Sequence, residues 1–172
     1  MFQTIEYLNG GNERQQKAYS VIKTLGVMKD LADFQPVLCG TIPIGIDVEG
    51  SDLDIIFEVN DFPPFRAKVE SLYHDKQDFR IKETKIRNLP VLKANFMFGD
   101  FEFELFAQPQ PVFKQYAYIH MLIEYHLMKE IPQLREKVIG LKQQGYKTEP
   151  AFCIALGLEG DPYEKLIEFA RK

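Results

Sequence analysis

Two aspartates separated by a single residue, Asp52 and Asp54, stand at the start of an apolar segment of this chain. Alternate side chains of a β-strand point to the same face, so this spacing predicts two carboxylates side by side. Neighbouring carboxylates repel each other unless a positive group lies between them, and their oxygen atoms suit Mg²⁺ or Mn²⁺. An isolated Asp-x-Asp is more often a pair of solvated aspartates at a strand end, so the neighbouring residues must decide.

A glycine turn upstream of the aspartates favours the metal interpretation. Gly40 and Thr41 follow an apolar run at residues 36–39, and a short loop separates them from the aspartates. Because glycine has no side chain, a phosphate group can approach the backbone closely at such a turn. Together, the turn and the acids indicate a metal-dependent phosphoryl or nucleotidyl transfer site.

A third acid is expected from a later strand. Residues 101–106 alternate phenylalanine or leucine with two glutamates, Glu102 and Glu104, which would share one face. An acid in such an apolar strand costs free energy unless it is exposed or paired. A third carboxylate beside the two aspartates would complete a two-metal site. The pattern alone leaves open which glutamate takes this position.

The elements that must position these groups form two unlike parts. Residues 1–110 read as a mixed α/β unit, and residues 111–172 as a helical C-terminal part packed on it. Within the first part we predict a helix over 11–33 with a break at Gly26, a loop over 41–51 and a helix over 65–76. We also predict strands over 36–40, 52–59, 79–87, 89–98 and 101–106, the last two joined by a two-residue turn.

The helical part is predicted from spacing and caps. Helices are expected over 112–130 and 132–144, with two more starting near Thr148 and Asp161. Thr148 is a good N-cap with Pro150 in its first turn, and Asn12 is the corresponding cap for the first helix of the chain.

The glycine turn and the acids resemble the signature of the nucleotidyltransferase superfamily, which has the polymerase-beta-like fold. The resemblance implies an α+β fold, with a mixed β-sheet, flanking helices and a helical C-terminal part. It places Gly40 and Thr41 on the phosphate-binding turn, Asp52 and Asp54 on the metal-binding pair, and the third acid on Glu104 rather than Glu102. Thr41 stands where serine or glycine is commoner.

A narrower resemblance extends over nearly the whole chain. The segments 40–47, 51–54, 104–106, 118–121 and 145–152 resemble an uncharacterised bacterial family assigned to this fold. That family brings no established activity, so it supports the fold and leaves the substrate open.

Four further residues are candidates for supporting roles. His120 and Glu124 are four residues apart on a predicted helix and share a face, with Gln115 about a turn earlier. A surface pair on an amphipathic helix is the favoured interpretation, and contact with phosphate or acceptor is expected only if this helix packs against the cleft. Lys147 precedes a helix start and is a candidate positive partner for a triphosphate.

Basic residues on a middle strand are expected to be solvent-facing rather than a nucleic-acid patch. They are Arg80, Lys82, Lys85 and Arg87.

Composition limits the class of protein. The chain has 172 residues, of which 45% are hydrophobic, and a formal net charge of −4. This balance supports one folded unit and argues against non-specific coating of nucleic acid. Cys39 and Cys153 lie in separate apolar runs and read as buried free thiols. With no signal-peptide pattern or membrane-length apolar run, we expect a cytoplasmic protein without a membrane partner.

These observations lead to one preferred function and one alternative. The preferred function is a nucleotidyltransferase that moves a nucleotidyl group from a nucleoside triphosphate to an unknown acceptor. Asp52, Asp54 and Glu104 would be catalytic and would hold Mg²⁺ or Mn²⁺, while Gly40, Thr41 and Ser51 would bind the phosphates. The alternative is a non-catalytic ligand-binding or protein-interaction module that keeps the fold.

Overall fold

A mixed β-sheet is the centre of the computed structural model, which describes residues 2–171. Its strands are β1 (Val37–Cys39), β2 (Leu53–Glu58), β3 (Gln77–Ile86), β4 (Leu89–Phe98) and β5 (Phe101–Gln108). Within the described residues the sheet has five strands in the order β1-β2-β5-β4-β3. Strands β2 and β5 are parallel, and the other neighbours are antiparallel. The predicted α+β class with a mixed sheet is therefore confirmed.

Helices flank the sheet and follow it. They are α1 (Glu13–Leu25), α2 (Val27–Asp30), α3 (Thr41–Ile44), α4 (Phe62–Tyr73), α5 (Tyr116–Glu130), α6 (Leu134–Gln143), α7 (Thr148–Leu156) and α8 (Pro162–Ala170). Short 3₁₀ turns cover Glu6–Gly10, Ala32–Phe34 and Val112–Lys114. Helix α1 begins with the predicted cap, since the Asn12 side chain accepts from the backbone N–H of Gln15.

Several boundaries differ from prediction, among them the following three. The expected loop over 41–51 opens with the short helix α3. Helix α4 starts at Phe62, and two prolines lie in its first turn. Proline is tolerated there because the backbone N–H groups of a first turn have no partner within the helix. The long helix α5 starts at Tyr116, because residues 112–114 form a 3₁₀ turn instead.

The two faces of the sheet are covered by different helices. Leu53, Ile55 and Phe57 of β2 belong to a core that includes residues of α1 and α4. The alternate residue Ile56 belongs to a second core, formed with residues of α5, α6, α7 and α8. Asp54 shares the face of Ile56, so the strand alternation directs it towards the C-terminal helices.

The hairpin between β4 and β5 sets the register of the acidic strand. Gly99 and Asp100 form the predicted two-residue turn, and both have positive φ, at 55° and 64°. Phe98 therefore pairs with Phe101, and Asn95 pairs with Glu104. A one-residue slip would move Glu104 to the opposite face, so the turn fixes which acid enters the cleft.

Two further features concern the helices and the cysteines. Along residues 2–171, no helix combines the length and the apolar character needed to cross a membrane. Cys39 and Cys153 are buried free thiols, as predicted.

Candidate functional site

Strand register brings Asp54 and Glu104 side by side. The two residues pair directly between the parallel strands β2 and β5. Asp52 lies two residues before Asp54, just ahead of the start of β2. All three line one cleft of about 800 Å³ between the sheet and the C-terminal helices.

Gly40 packs directly against the Asp54 carboxylate. A Cβ at position 40 would lie 2.3 Å from Oδ2 of Asp54, and the backbone has φ +85°. Both conditions require glycine, because other residues strain at this φ and their side chain would displace the carboxylate. The turn therefore presents bare backbone beside the acids.

The residues after the turn form a small polar network. The hydroxyls of Thr41 and Ser51 are 3.4 Å apart, and the Ser51 hydroxyl accepts a hydrogen bond from the backbone N–H of Val48 at 2.9 Å. Thr41, Ser51 and Gly40 all line the cleft. The predicted phosphate-binding residues thus lie next to the aspartates.

Burial makes the aspartates costly in their charged form. Desolvation, with repulsion from Asp52 and Glu104, raises the pKa of Asp54 well above its ordinary value. Desolvation also raises the pKa of Asp52, with further contributions from Glu104 and Glu102. A cation placed among these carboxylates would lower that cost.

Lys93 is a neighbour that the sequence analysis missed. Its Nζ lies 2.7 Å from Oε2 of Glu104, and both side chains are largely buried. Asn95 donates to the same oxygen at 3.3 Å. The position of Lys93 could have been predicted from the hairpin turn, because the register that pairs Asn95 with Glu104 also puts Lys93 on that face.

Glu102 has a different environment. It pairs with Met97, two residues closer to the hairpin turn, and its carboxylate accepts hydrogen bonds from Arg80 and Asn95. Glu104, by contrast, is the neighbour of Asp54. The geometry therefore places Glu104, as expected, beside the aspartates.

The expectation of a surface pair on α5 was wrong. His120 and Glu124 are 3% and 4% exposed, and both line the cleft. Burial, followed by the positive charge of Arg87, lowers the pKa of His120 to about 4. Burial and the nearby Glu149 raise the pKa of Glu124 well above its ordinary value.

Gln115 also borders the cleft, and its amide nitrogen is committed to the backbone. Its Nε2 donates to the carbonyls of Phe57 and Gln110, each at 2.9 Å. These bonds tie the start of α5 to β2, which gives Gln115 a positioning role.

The start of α7 contributes charged groups to the cleft. Lys147 lies immediately before the helix and lines the cleft with Thr148 and Glu149. Thr148 is not the predicted N-cap: it is the first helical residue, and its hydroxyl accepts a hydrogen bond from Lys142 at 3.0 Å. Lys142, which the sequence analysis missed, also lines the cleft.

The four basic residues predicted to face solvent are all exposed, and Arg87 also contacts two tyrosine rings. The guanidinium of Arg87 lies 4.1 Å from the ring centre of Tyr116 and 5.1 Å from that of Tyr163. Such cation–π contacts hold the tip of the β3–β4 hairpin against α5 and α8 at the cleft.

Comparison with known proteins identifies a family. The model for a domain of unknown function, DUF4269, matches residues 20–169. The chain belongs to this family. A search of curated proteins found no significant match.

Solved structures show a similar fold. The chain is similar to the Cid1 poly(U) polymerase bound to MgATP, with a TM-score of 0.56 and 16% identity over 80% of this chain and 45% of that one. It is similar to the polymerase core of TRAMP, an RNA surveillance complex, with a TM-score of 0.55 and 15% identity over 96% and 60%. The chain is also similar to the GLD-2/RNP-8 complex, with a TM-score of 0.52 and 17% identity over 88% of this chain and 60% of that one. The chain thus spans about half the length of these nucleotidyltransferase structures.

Proposed function

We propose that this DUF4269 member is a metal-dependent nucleotidyltransferase, which moves a nucleotidyl group from a nucleoside triphosphate to an acceptor. One observation carries the proposal. Asp54 and Glu104 pair on adjacent parallel strands, with Asp52 nearby and the bare backbone of Gly40 against Asp54. The nucleotidyltransferase fold of the structural neighbours supports the same reading.

The three carboxylates fit a divalent cation. Asp52, Asp54 and Glu104 supply only oxygen donors, the kind that Mg²⁺ and Mn²⁺ prefer. Mutual repulsion among them and burial of the aspartates leave the cluster short of positive charge. When bound there, Mg²⁺ or Mn²⁺ would supply charge neutralisation at the transferring phosphoryl group.

The remaining roles follow from position in the cleft. Gly40, Thr41 and Ser51 would bind the phosphates, with Lys147 and Lys142 supplying positive charge from the facing wall. Glu104 already forms an ion pair with Lys93 and accepts a hydrogen bond from Asn95, so we assign removal of the acceptor proton to an aspartate carboxylate. Excluding water and holding the reactants in line would supply the rest of the rate enhancement.

Partners and location belong to the same proposal. The acceptor is a nucleophile of unassigned class, and an RNA is one option since the similar structures include a poly(U) polymerase. A cytoplasmic location is supported by the two buried free thiols. The division at residues 110 and 111 into an α/β unit and a helical part remains a prediction.

A non-catalytic ligand-binding module is the second candidate. The observation in its favour is Lys93, whose ammonium already partly neutralises the cluster through Glu104. Such a module would bind a nucleotide or another ligand without turning it over.

Pyrophosphate release tests the proposal without knowledge of the acceptor. The full chain with Mg²⁺ would be incubated with each nucleoside triphosphate and separate pools of RNA, protein and small hydroxyl or amine compounds. We expect release in at least one pool, and a fall of about 100-fold or more for Asp54→Asn. Glu102→Gln, on the same strand as Glu104, is the matched control and should retain activity.

Two outcomes would count against the proposed nucleotidyltransferase activity. Equal release by wild type and Asp54→Asn would contradict the assigned site. Nucleotide binding without release in every pool would favour the non-catalytic module.

A further inference from the structure

A second group of metal-ligating side chains lies on the helical wall of the cleft. His120 and Glu124 of α5 and Glu149 of α7 bring one ligand atom each to within 4.8 Å of one another. His120 and Glu124 are almost fully buried, at 3% and 4% exposure. None of these residues belongs to the acidic cluster on the sheet.

Among residues 2–171, the imidazole of His120 finds no hydrogen-bond partner. Within the described part of the chain, both its ring nitrogens are buried and unpaired. A buried polar atom without a partner is destabilising, and each such atom in a folded protein calls for an explanation. A ligand bound at one ring nitrogen would provide it.

We propose that His120, Glu124 and Glu149 form a Zn²⁺ site on the helical wall of the cleft. One imidazole and two carboxylates are a suitable donor set for Zn²⁺, with a fourth position left for a water or substrate atom. Mg²⁺ prefers oxygen donors alone, so the imidazole separates this site from the acidic cluster. The inference concerns different residues and a different ion, and it does not rest on the proposed function.

The local structure holds the imidazole in place. The His120 ring makes edge-on contacts with the rings of Tyr116 and Tyr163, at centroid distances of 5.6 and 5.8 Å. Tetrahedral Zn²⁺ bonds of about 2.0–2.1 Å place ligand atoms about 3.3 Å apart. Rotation of the two long glutamate side chains would have to close the difference from the observed spacing of up to 4.8 Å.

Charged groups of both signs surround the three residues. Glu124 and Glu149 repel each other, and burial raises the pKa of both carboxyls. Lys142 faces both carboxyls and donates a hydrogen bond to Thr148 at 3.0 Å, and Lys147 is a further positive group near Glu149. Arg87 faces His120 from the hairpin. Zn²⁺ between the two carboxylates would supply positive charge where they converge.

Cobalt spectroscopy tests the site with the metal alone. The full chain would be stripped with a chelator and titrated with Co²⁺, whose visible absorption reports the ligand geometry, and then with competing Zn²⁺. We expect Co²⁺ binding that Zn²⁺ displaces and that excess Mg²⁺ does not. His120→Asn and Glu149→Gln should each weaken binding by about 100-fold.

Matched variants assign the ligands. His126→Ala removes an exposed histidine from the same helix and should bind as wild type does. Asp54→Asn should also retain the cobalt spectrum, because it alters the acidic cluster. Circular dichroism establishes that each variant is folded, and Glu149→Gln, at a helix start, tests the site if His120→Asn does not fold.

Three results would overturn the inference. They are no Co²⁺ or Zn²⁺ binding by wild type, unchanged affinity in both ligand variants, and loss of binding in Asp54→Asn alone. Nucleotide turnover does not enter the readout, so failure here leaves the proposed function standing, and failure of turnover leaves this site standing.

Discussion

The two walls of the cleft carry similar acidic groups in unlike settings. On the sheet wall, Asp52, Asp54 and Glu104 face Lys93, which lies 2.7 Å from Glu104. On the helical wall, Glu124 and Glu149 are joined by an imidazole without a hydrogen-bond partner among residues 2–171. Acidity alone therefore does not define a site, because the accompanying nitrogen groups decide which ion each wall suits.

The walls also differ in how they are held. The sheet wall is fixed by strand pairing and by the close packing of Gly40 on Asp54. The helical wall depends on the packing of α5 against α7 and α8, which share one core. Changes at the glycine turn should accordingly disturb the first wall and leave the second intact.

Gly40→Ala should give the largest loss of stability and separate the walls. The added Cβ would meet the Asp54 carboxylate at 2.3 Å, which adds an overpacking cost of about 1–3 kcal/mol to the backbone strain. Gly50→Ala is the control, since position 50 also has positive φ, at 81°, but no described atom within 4 Å of its Cβ. Urea unfolding should show a larger loss for Gly40→Ala, and equal losses would reject the close packing.

The same variant sharpens the comparison of metals. Gly40→Ala should weaken Mg²⁺ binding at the acids and leave the Co²⁺ titration of the helical wall unchanged. Parallel loss of both would mean that the two walls are not independent.

Asp54 should make stability depend on pH in the metal-free protein. Its pKa is raised in the folded state, so its contribution favours folding below the unfolded pKa and is lost as pH rises through the folded pKa. Wild type should therefore lose stability relative to Asp54→Asn as pH rises above about 4, the ordinary value for an aspartate in the unfolded chain. The pKa of His120 is lowered to about 4, so this residue destabilises the fold at acid pH. Because the effect is the same in wild type and Asp54→Asn, it drops out of the difference in stability between them.

Denaturant unfolding of both proteins over this pH range measures the difference. If the difference in free energy of unfolding between the two proteins does not change with pH, Asp54 does not titrate differently in the folded state. If wild type instead gains stability relative to Asp54→Asn as pH rises, the predicted sign is wrong.

Lys93→Met should have a smaller effect, on metal affinity. Removing the ammonium beside Glu104 leaves the acids with more negative charge, so Mg²⁺ should bind about 5-fold more tightly, or about 1 kcal/mol. Lys85→Met, which removes an exposed lysine from β3, is the control. Weaker Mg²⁺ binding by Lys93→Met would show that the lysine supports the metal rather than competing with it.

Local patterns predict the sheet wall well. Alternation in β2 and β5 puts acids on one face and large apolar residues on the other, and the Gly99–Asp100 turn sets their register. These signals act over a few residues, so sequence alone can reveal them. The short helix α3 was missed because a proline lies inside its four residues.

The helical wall could not be predicted in the same way. His120 and Glu124 share a helix face in any sequence-based view, but their burial depends on which helices pack against that face. Lys142 was missed for a related reason, since it reaches Thr148 across a contact between two helices. Such contacts join residues whose pairing no short motif records.

Calorimetric titration of a non-hydrolysable nucleoside triphosphate is the most direct test of the metal-dependent nucleotide site. The acidic cluster repels a polyphosphate, and a divalent cation between them reverses that sign. We predict binding at least about 10-fold tighter with Mg²⁺ than without it, and loss of this gain in Asp54→Asn. Equal affinity with and without Mg²⁺, or an unchanged gain in Asp54→Asn, would contradict the account.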